Sequence, residues 1–232
     1  LSLSPVVGDW SGVGEPVIGL VSRRGQVMGF DLFANNSGNY NAAIVGASGS
    51  GKSFFVNQIA SGYCANGAKV WIIDVGRSYE KLCHTIGGQY IEFGVNSNLV
   101  INPFDTVNNI DEDIEILKLL LSLMIAPNEG LSDYQLPILS KVIREVWDAS
   151  AKEATIDDVA ERLVAYSDIN GLRNEEINRL GEQLHPFTTD GEYGRYFNGK
   201  STLTFDKDFV VLELEELKSK PTLQQVVMRF LI

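Results

Sequence analysis

The stretch Gly46-Ala47-Ser48-Gly49-Ser50-Gly51-Lys52-Ser53 fits the pattern G-x-x-x-x-G-K-[ST] at every fixed position. Glycines in such a loop let successive backbone N–H groups turn inward and form a concave cradle for phosphate oxygens. Lys52 is placed to reach the β- and γ-phosphates as a compact positive charge, and Ser53 offers a hydroxyl to Mg²⁺. We therefore predict a nucleotide site that runs from Gly46 to Phe54, with Ser53 as its metal ligand.

The residues on either side of this loop indicate a strand before it and a helix after it. Residues 40–45, Tyr-Asn-Ala-Ala-Ile-Val, form a short apolar run of strand character. After the loop, two sets of apolar residues recur at four-residue spacing, one from Phe55 and one from Val56, which predicts a helix with a buried stripe. Such a helix points the positive end of its dipole at a bound phosphate. The alternative is a Gly/Ser-rich turn that carries Lys-Ser by chance.

Length and composition are those of an ordinary globular protein with a sizeable core. The chain has 232 residues, of which 44% are hydrophobic and 21% charged. Its net charge is −11 and its pI about 4.6, which argues against a broad electropositive surface. We therefore do not expect this segment to bind DNA directly.

Other residue types suggest no further cofactor and no membrane span. Cys64 and Cys83 lie within apolar helical patterns and are predicted to be buried free thiols. His84 and His185 have no partners at metal-ligand spacing, so no zinc site is proposed. The longest apolar stretch, residues 114–126, contains a lysine and is too short to cross a bilayer.

A second apolar run ends in an acidic residue. Residues 69–74, Lys-Val-Trp-Ile-Ile-Asp, are typical of a strand buried in a parallel sheet. This places Asp74 at the carboxyl end of a strand, where ligands bind in open α/β folds. Asp74 is a candidate catalytic residue that holds Mg²⁺ through water or orients the attacking water. An ordinary carboxylate that caps the turn at residues 76–78 explains the position equally well.

The remaining pattern predicts three regions. Residues 1–109 carry a hairpin, the phosphate loop and further strands, and Ser78 is expected to cap a helix that runs to Ile86. Residues 110–187 are helical almost throughout, with a capping box at Thr155. Residues 188–232 return to the sheet, with strands at 201–205 and 209–214. The fold class is therefore α/β, a nucleotide-binding core with a parallel sheet and an all-helical insertion.

Five motifs in one order resemble the C-terminal motor domain of the TraC-type conjugative-transfer ATPases of type IV secretion, relatives of the hexameric HerA and FtsK motors. The resemblance covers nearly the whole chain, and the later motifs in series are more specific than the phosphate loop. Beside that loop, they are Ile-Asp-Val-Gly-Arg-Ser-Tyr at 73–79, Gly-Gly-Gln-Tyr-Ile at 87–91, Ile-Asn-Pro-Phe at 101–104, and the loop at 191–199.

The resemblance implies a RecA-like core that hydrolyses ATP with Mg²⁺ and energises pilus assembly and substrate transfer. It also implies a ring-forming homo-oligomer, a hexamer, which acts with inner-membrane components of type IV secretion. Its location would be cytoplasmic and peripheral at the inner membrane. One feature departs from the family: the strand ending in Asp-Glu, which supplies the general base, is absent, because residues 211–216 do not offer that pair. Since residues 230–232 lie inside an apolar helical pattern, we expect that strand in a longer protein, after Ile232.

Arg195 lies in the loop at 191–199 and is a candidate to complete the site of a neighbouring subunit. The alternative is that it braces its own loop against carboxylates such as Glu192. Two other functions fit the same sequence. One is a small P-loop kinase with a helical substrate lid and Arg195 as a phosphate clamp, and the other is a nucleotide-binding scaffold without turnover.

Overall fold

A computed structural model describes residues 16–35, 38–94, 97–168 and 170–231. The chain forms two compact units. The first, here called the sheet unit, comprises residues 1–92 and 205–213. The second, called the helical unit, comprises residues 93–204 and 214–232.

Within the described residues, the sheet unit contains two separate sheets and two helices. Its elements, in chain order, are β1 (Ile18–Val21), β2 (Val27–Phe30), α1 (Lys52–Ala65), β3 (Val70–Asp74), α2 (Glu80–Thr85), β4 (Gln89–Glu92) and β5 (Phe209–Glu213). Strands β1 and β2 form the antiparallel hairpin that the sequence predicts. The other three strands form a parallel sheet in the order β3-β5-β4, which confirms the predicted parallel sheet.

Strand β5 lies at the centre of the parallel sheet, and all five of its residues are buried. Its run Phe-Val-Val-Leu is what a strand covered on both faces requires. One face packs against α1 and α2 through a cluster that includes Ala60, Cys83 and Val211. Because all three strands run the same way, their carboxyl ends meet at one edge of the sheet.

Residues 40–45 do not form the predicted strand. They have no regular secondary structure, and Tyr40 and Val45 are 45% and 90% exposed. A strand is held by backbone hydrogen bonds to a neighbour, and none of the strands in the described residues pairs with this segment. An apolar run of this kind is typical of a strand, but among the described residues no strand lies beside it to supply hydrogen bonds.

Strand β3 is an edge strand rather than the fully buried strand that its composition suggested. It pairs with β5 on one side only, and among the described strands none lies on its other side. Trp71 is 52% exposed and Ile73 38% exposed. The ring of Trp71 stacks on that of Phe205, with 4.4 Å between the ring centroids.

The helical unit has its own apolar core. Its long helices are α3 (Ile110–Ile125), α4 (Gln135–Ser150), α5 (Ile156–Val164), α6 (Glu175–Gln183) and α7 (Pro221–Leu231). Helix α5 begins with the predicted capping box, in which Thr155 and Asp158 satisfy each other's backbone N–H groups. Helices α5 and α6 pack closely at Gly181, where a Cβ atom would lie 2.6 Å from the carbonyl oxygen of Ala160.

Two further local predictions were wrong. Helix α2 has Tyr79 rather than Ser78 as its N-cap, and no side chain caps it. Residues 201–205 form no strand, although the N–H of Thr202 donates to the carbonyl of Val100. The three-region division of the chain stays a prediction. No helix in the described ranges combines the length and the apolar character needed to cross a bilayer.

Candidate nucleotide site

The phosphate loop has the backbone conformation that its glycines permit. Gly49 and Gly51 have φ values of 75° and 93°, in the left-handed region that side chains disfavour. Gly51 is the N-cap of α1, so the helix starts at Lys52. The first N–H groups of a helix have no intrahelical acceptor, and those of α1 are therefore available to an anion at the loop.

Lys52 folds back over the loop. Its Nζ donates to the carbonyl oxygens of Gly46 and Ala47, at 2.8 and 2.9 Å. The loop is tight at its start, because a Cβ atom on Gly46 would lie 2.6 Å from the Oγ of Ser50. The ammonium group is thus held at the mouth of the cradle by neutral carbonyls, which a phosphate can replace with a stronger charge-assisted contact.

Ser53 and Phe54 occupy the first turn of α1. Both are exposed, Phe54 to 77%. A hydroxyl at this place suits Mg²⁺, which takes few protein oxygens and keeps several waters. The left-handed glycines, the cationic Lys52 and this hydroxyl together fit a magnesium nucleotide.

Asp74 ends β3 at the carboxyl edge of the sheet. Its Oδ2 accepts a 2.6 Å hydrogen bond from the N–H of Ser78. Burial raises the pKa of the Asp74 carboxyl, and the nearby charge of Glu213 raises it further, while the Ser78 N–H acts in the opposite direction. The turn that Asp74 was expected to cap therefore exists, and the carboxyl group sits in a place that disfavours its charge.

Glu213 ends β5, directly beside Asp74 in the sheet register, and is fully buried. Its carboxylate accepts hydrogen bonds from the N–H groups of Gly76 at 3.2 Å and Arg77 at 2.7 Å. The hydroxyl of Tyr90 donates a third, at 3.3 Å. Burial and the charge of Glu213 raise the pKa of Tyr90, so this hydroxyl keeps its proton.

Arg77 adopts an unusual conformation at this turn. Its φ is 56°, a region in which residues other than glycine are uncommon. The backbone is held there by Glu213, and the guanidinium forms an ion pair with Glu92 at the end of β4. Glu92 pairs with Glu213 in the sheet register, so three carboxylates lie side by side across the three strand ends.

Asn57 links this turn to the phosphate-loop helix, and sequence reasoning missed it. Its Nδ2 donates to the carbonyl of Ser78 at 3.2 Å. Asn57 follows Ser53 by four residues, so both lie on the same face of α1. This four-residue spacing from Ser53 was the sequence feature that could have pointed to Asn57.

Arg195 belongs to the helical unit. Its guanidinium lies 4.5 Å from the ring centroid of Tyr196, and Nη2 donates to the carbonyl of Gly94 at 3.2 Å. Glu192, the carboxylate considered as its partner, lies 2.8 Å from the Nζ of Lys220. Local bracing by an aromatic ring and a carbonyl is therefore present, and the trans-acting role of Arg195 stays a prediction.

Comparisons with known proteins show which family the chain belongs to. The family model described as TraG P-loop domain matches residues 26–232. Protein TraC of Escherichia coli (strain K12) is 34% identical over 217 residues, which is 90% of this chain and 24% of TraC. The structure of VirB4 of Thermoanaerobacter pseudethanolicus superposes with a TM-score of 0.79 at 22% identity, over 95% of this chain and 64% of that chain.

These matches establish the fold and the family. The VirB4 likeness shows that the chain has the α/β, RecA-like P-loop fold predicted for it. The chain spans about a quarter of the length of TraC, so the matched region is one part of that relative. The family match runs through the phosphate loop and all three strands of the parallel sheet. The chain therefore belongs to the TraG P-loop domain family and is a P-loop domain of the TraC type.

Proposed function

We propose that this chain is the ATP-binding and ATP-hydrolysing motor domain of a type IV secretion ATPase that energises pilus assembly and substrate transfer. The observation that carries the proposal is the phosphate loop: Gly49 and Gly51 are left-handed, and Lys52 lies over the loop at the start of α1. The resemblance to TraC supports the biological setting.

The residues of the loop have distinct roles in this proposal. Backbone N–H groups from Gly46 to Ser53 hold the phosphates, and Lys52 exchanges its carbonyl partners for β- and γ-phosphate oxygens. Ser53 would hold Mg²⁺, which would offset the negative charge of the phosphates. Phe54, at the exposed first turn, lies against the bound nucleotide.

Asp74 is proposed to act on water at the γ-phosphate end of the site. It ends a strand on the same sheet face that α1 covers, since Ile72, two residues earlier, packs against the α1 cluster. Turnover further needs a general base, and in related motors an arginine from a neighbouring subunit. We propose that the protein works as a homo-oligomeric ring, a hexamer, on the cytoplasmic side of the inner membrane, with type IV secretion components as partners.

Lys52→Ala tests the nucleotide site in the full-length protein. Loss of the ammonium should weaken ATP binding at least tenfold and abolish phosphate release, with unchanged circular dichroism. The matched control is Lys69→Ala, an exposed lysine that precedes β3, which should bind and hydrolyse ATP normally. Turnover like that of the wild type in Lys52→Ala would contradict the assignment.

Sedimentation with and without ATP, measured beside phosphate release, separates the motor from the two other functions. A motor should assemble and hydrolyse ATP without a second substrate. A kinase should release no phosphate and should need an acceptor molecule. A scaffold should bind and assemble without turnover.

A further inference from the structure

The turn after β3 has more hydrogen bonds than a connection between a strand and a short helix needs. Two successive N–H groups, those of Gly76 and Arg77, donate to one buried carboxylate on the next strand. The third N–H, that of Ser78, donates to Asp74. Each backbone N–H from residue 76 to residue 78 thus donates a hydrogen bond to a carboxylate.

The paired carboxylates and the backbone conformation of this turn both reduce the stability of the fold, which suggests that the turn is kept for function. Asp74 and Glu213 are adjacent acidic residues in register, and carboxylates placed side by side repel each other. Arg77 is held at positive φ, a conformation that is unfavourable for a residue other than glycine. A purely structural turn at this place would be served by a glycine and an apolar strand end.

The same turn is fixed from the other side by α1. Asn57 donates to the carbonyl of Ser78, one helical turn after Ser53. Its Oδ1 is buried and accepts no hydrogen bond within the described residues, a cost that an alanine at this place would avoid. The turn therefore connects the phosphate end of α1 to the end of β5.

We propose that Glu213 is a positioning residue that acts through Asp74. By holding the N–H groups of Gly76 and Arg77, it fixes the turn that presents the Ser78 N–H to Asp74, and Asn57 fixes that turn relative to the phosphate loop. Asp74 is then held in one orientation when nucleotide binds. This inference rests on the proposed function, because it gives Asp74 a role in turnover.

The test is a double-mutant cycle in the full-length protein, with the variants Asp74→Asn, Glu213→Gln and the pair together. Each single variant should lower the turnover number at saturating ATP at least tenfold. Affinity for a fluorescent ADP analogue without Mg²⁺ should stay within about twofold, because the phosphate loop is untouched. If Glu213 acts through Asp74, the double variant should be no more than about twofold slower than Asp74→Asn.

Two further variants complete the test: a matched control, and a variant that loosens the turn from the side of α1. Asp208→Asn makes the same chemical change at the exposed amino end of β5 and should leave turnover and affinity unchanged. Asn57→Ala removes the link from α1 without touching the buried sheet. It should lower turnover at unchanged affinity, again without adding to the loss in Asp74→Asn, even if Glu213→Gln does not fold.

Three outcomes would overturn the inference. They are losses that multiply in the double variants, a loss of ADP affinity that matches the loss of turnover, and normal turnover in Asp74→Asn. The proposed function fails separately, when Lys52→Ala binds and hydrolyses ATP like the wild type. If Lys52→Ala is inactive while the losses at Asp74 and Glu213 multiply, only the positioning role is wrong.

Discussion

At the scale of single residues, the site is marked by two neighbouring carboxyl groups in different surroundings. Asp74 and Glu213 end adjacent strands, but their surroundings differ. Glu213 is fully buried and accepts hydrogen bonds from the backbone N–H groups of Gly76 and Arg77. For Asp74, burial and the charge of Glu213 outweigh the backbone N–H groups of Ser78 and Val75 and raise the pKa of its carboxyl.

A first prediction at this scale concerns pH and stability. Because the pKa of Asp74 is raised from its ordinary value of 3.8, the folded chain binds this proton more tightly than the unfolded chain. Stability from this group is therefore complete below pH 3.8 and is lost as the pH rises through the folded pKa. Asp74→Asn, which keeps an acceptor for the Ser78 N–H, should melt at a higher temperature than the wild type at pH 7.

Melting curves measured from pH 4 to pH 8 check this prediction. The excess melting temperature of Asp74→Asn should shrink as the pH falls toward 4, where the wild-type carboxyl also becomes neutral. The same measurements on Asp208→Asn, an exposed position, provide the control. A variant that is less stable than the wild type at every pH would show that the hydrogen bond to Ser78 outweighs the effect of charge.

The second prediction at this scale concerns Arg195. If it completes a neighbouring subunit's site, inactive Arg195→Ala and Lys52→Ala subunits should restore some hydrolysis when mixed, because a mixed ring contains interfaces with both groups intact. Full-length proteins that form mixed rings are required. Mixed rings that never hydrolyse ATP would favour the alternative, in which Arg195 braces its own loop through contacts such as those to Tyr196 and Gly94.

At the scale of elements, close helix packing organises the helical unit. Gly181 lets α6 approach α5, and a Cβ atom there would lie 2.6 Å from the Ala160 carbonyl and 2.7 Å from the Cγ2 of Val164. Backbone oxygen cannot move aside as a flexible side chain can. The two helices must therefore separate if residue 181 gains a methyl group.

Gly181→Ala should accordingly destabilise the protein by about 1–3 kcal/mol, as overpacked cores do, although alanine favours a helix by about 1 kcal/mol. Urea unfolding followed by circular dichroism at 222 nm measures the change. Glu182→Ala, an exposed neighbour on the same helix, should change stability by less than about 0.5 kcal/mol. Equal stability of Gly181→Ala and the wild type would mean that α6 can move away from α5 at little cost.

The elements also show what the sequence could and could not predict. Local chemistry predicted the phosphate loop, the hairpin and the capping box at Thr155. It failed at residues 40–45 and at 201–205, because strand formation depends on a pairing partner that an apolar run does not reveal. The pairing of Asp74 with Glu213 could not be predicted either, since the two residues are 139 positions apart and meet only through the sheet register.

At the scale of the whole molecule, ATP binding and ATP hydrolysis have different requirements. Binding needs the loop from Gly46 to Ser53, which is complete. Hydrolysis also needs a carboxylate free to activate water. Glu213 accepts hydrogen bonds from two backbone N–H groups and from the Tyr90 hydroxyl, and Asp74 is proposed to orient water, so we expect the general base to be a different residue.

The purified 232-residue chain should therefore bind ATP but release phosphate at least tenfold more slowly than the full-length protein. Phosphate release at equal protein concentration, with Lys52→Ala of the 232-residue chain as the blank, measures the difference. Equally fast, Lys52-dependent turnover by the 232-residue chain would show that Asp74 or Glu213 supplies the general base after all.

Trp71, whose ring stacks on Phe205, can serve as a fluorescence probe on the edge strand β3. An indole that is half exposed on an edge strand emits in a partly aqueous environment, and its emission should shift to shorter wavelength when another segment or subunit excludes that water. Trp10 and Trp147 can both be replaced by phenylalanine to isolate the signal. Fluorescence would then follow, in real time and without any added label, whether ATP changes what lies against this edge.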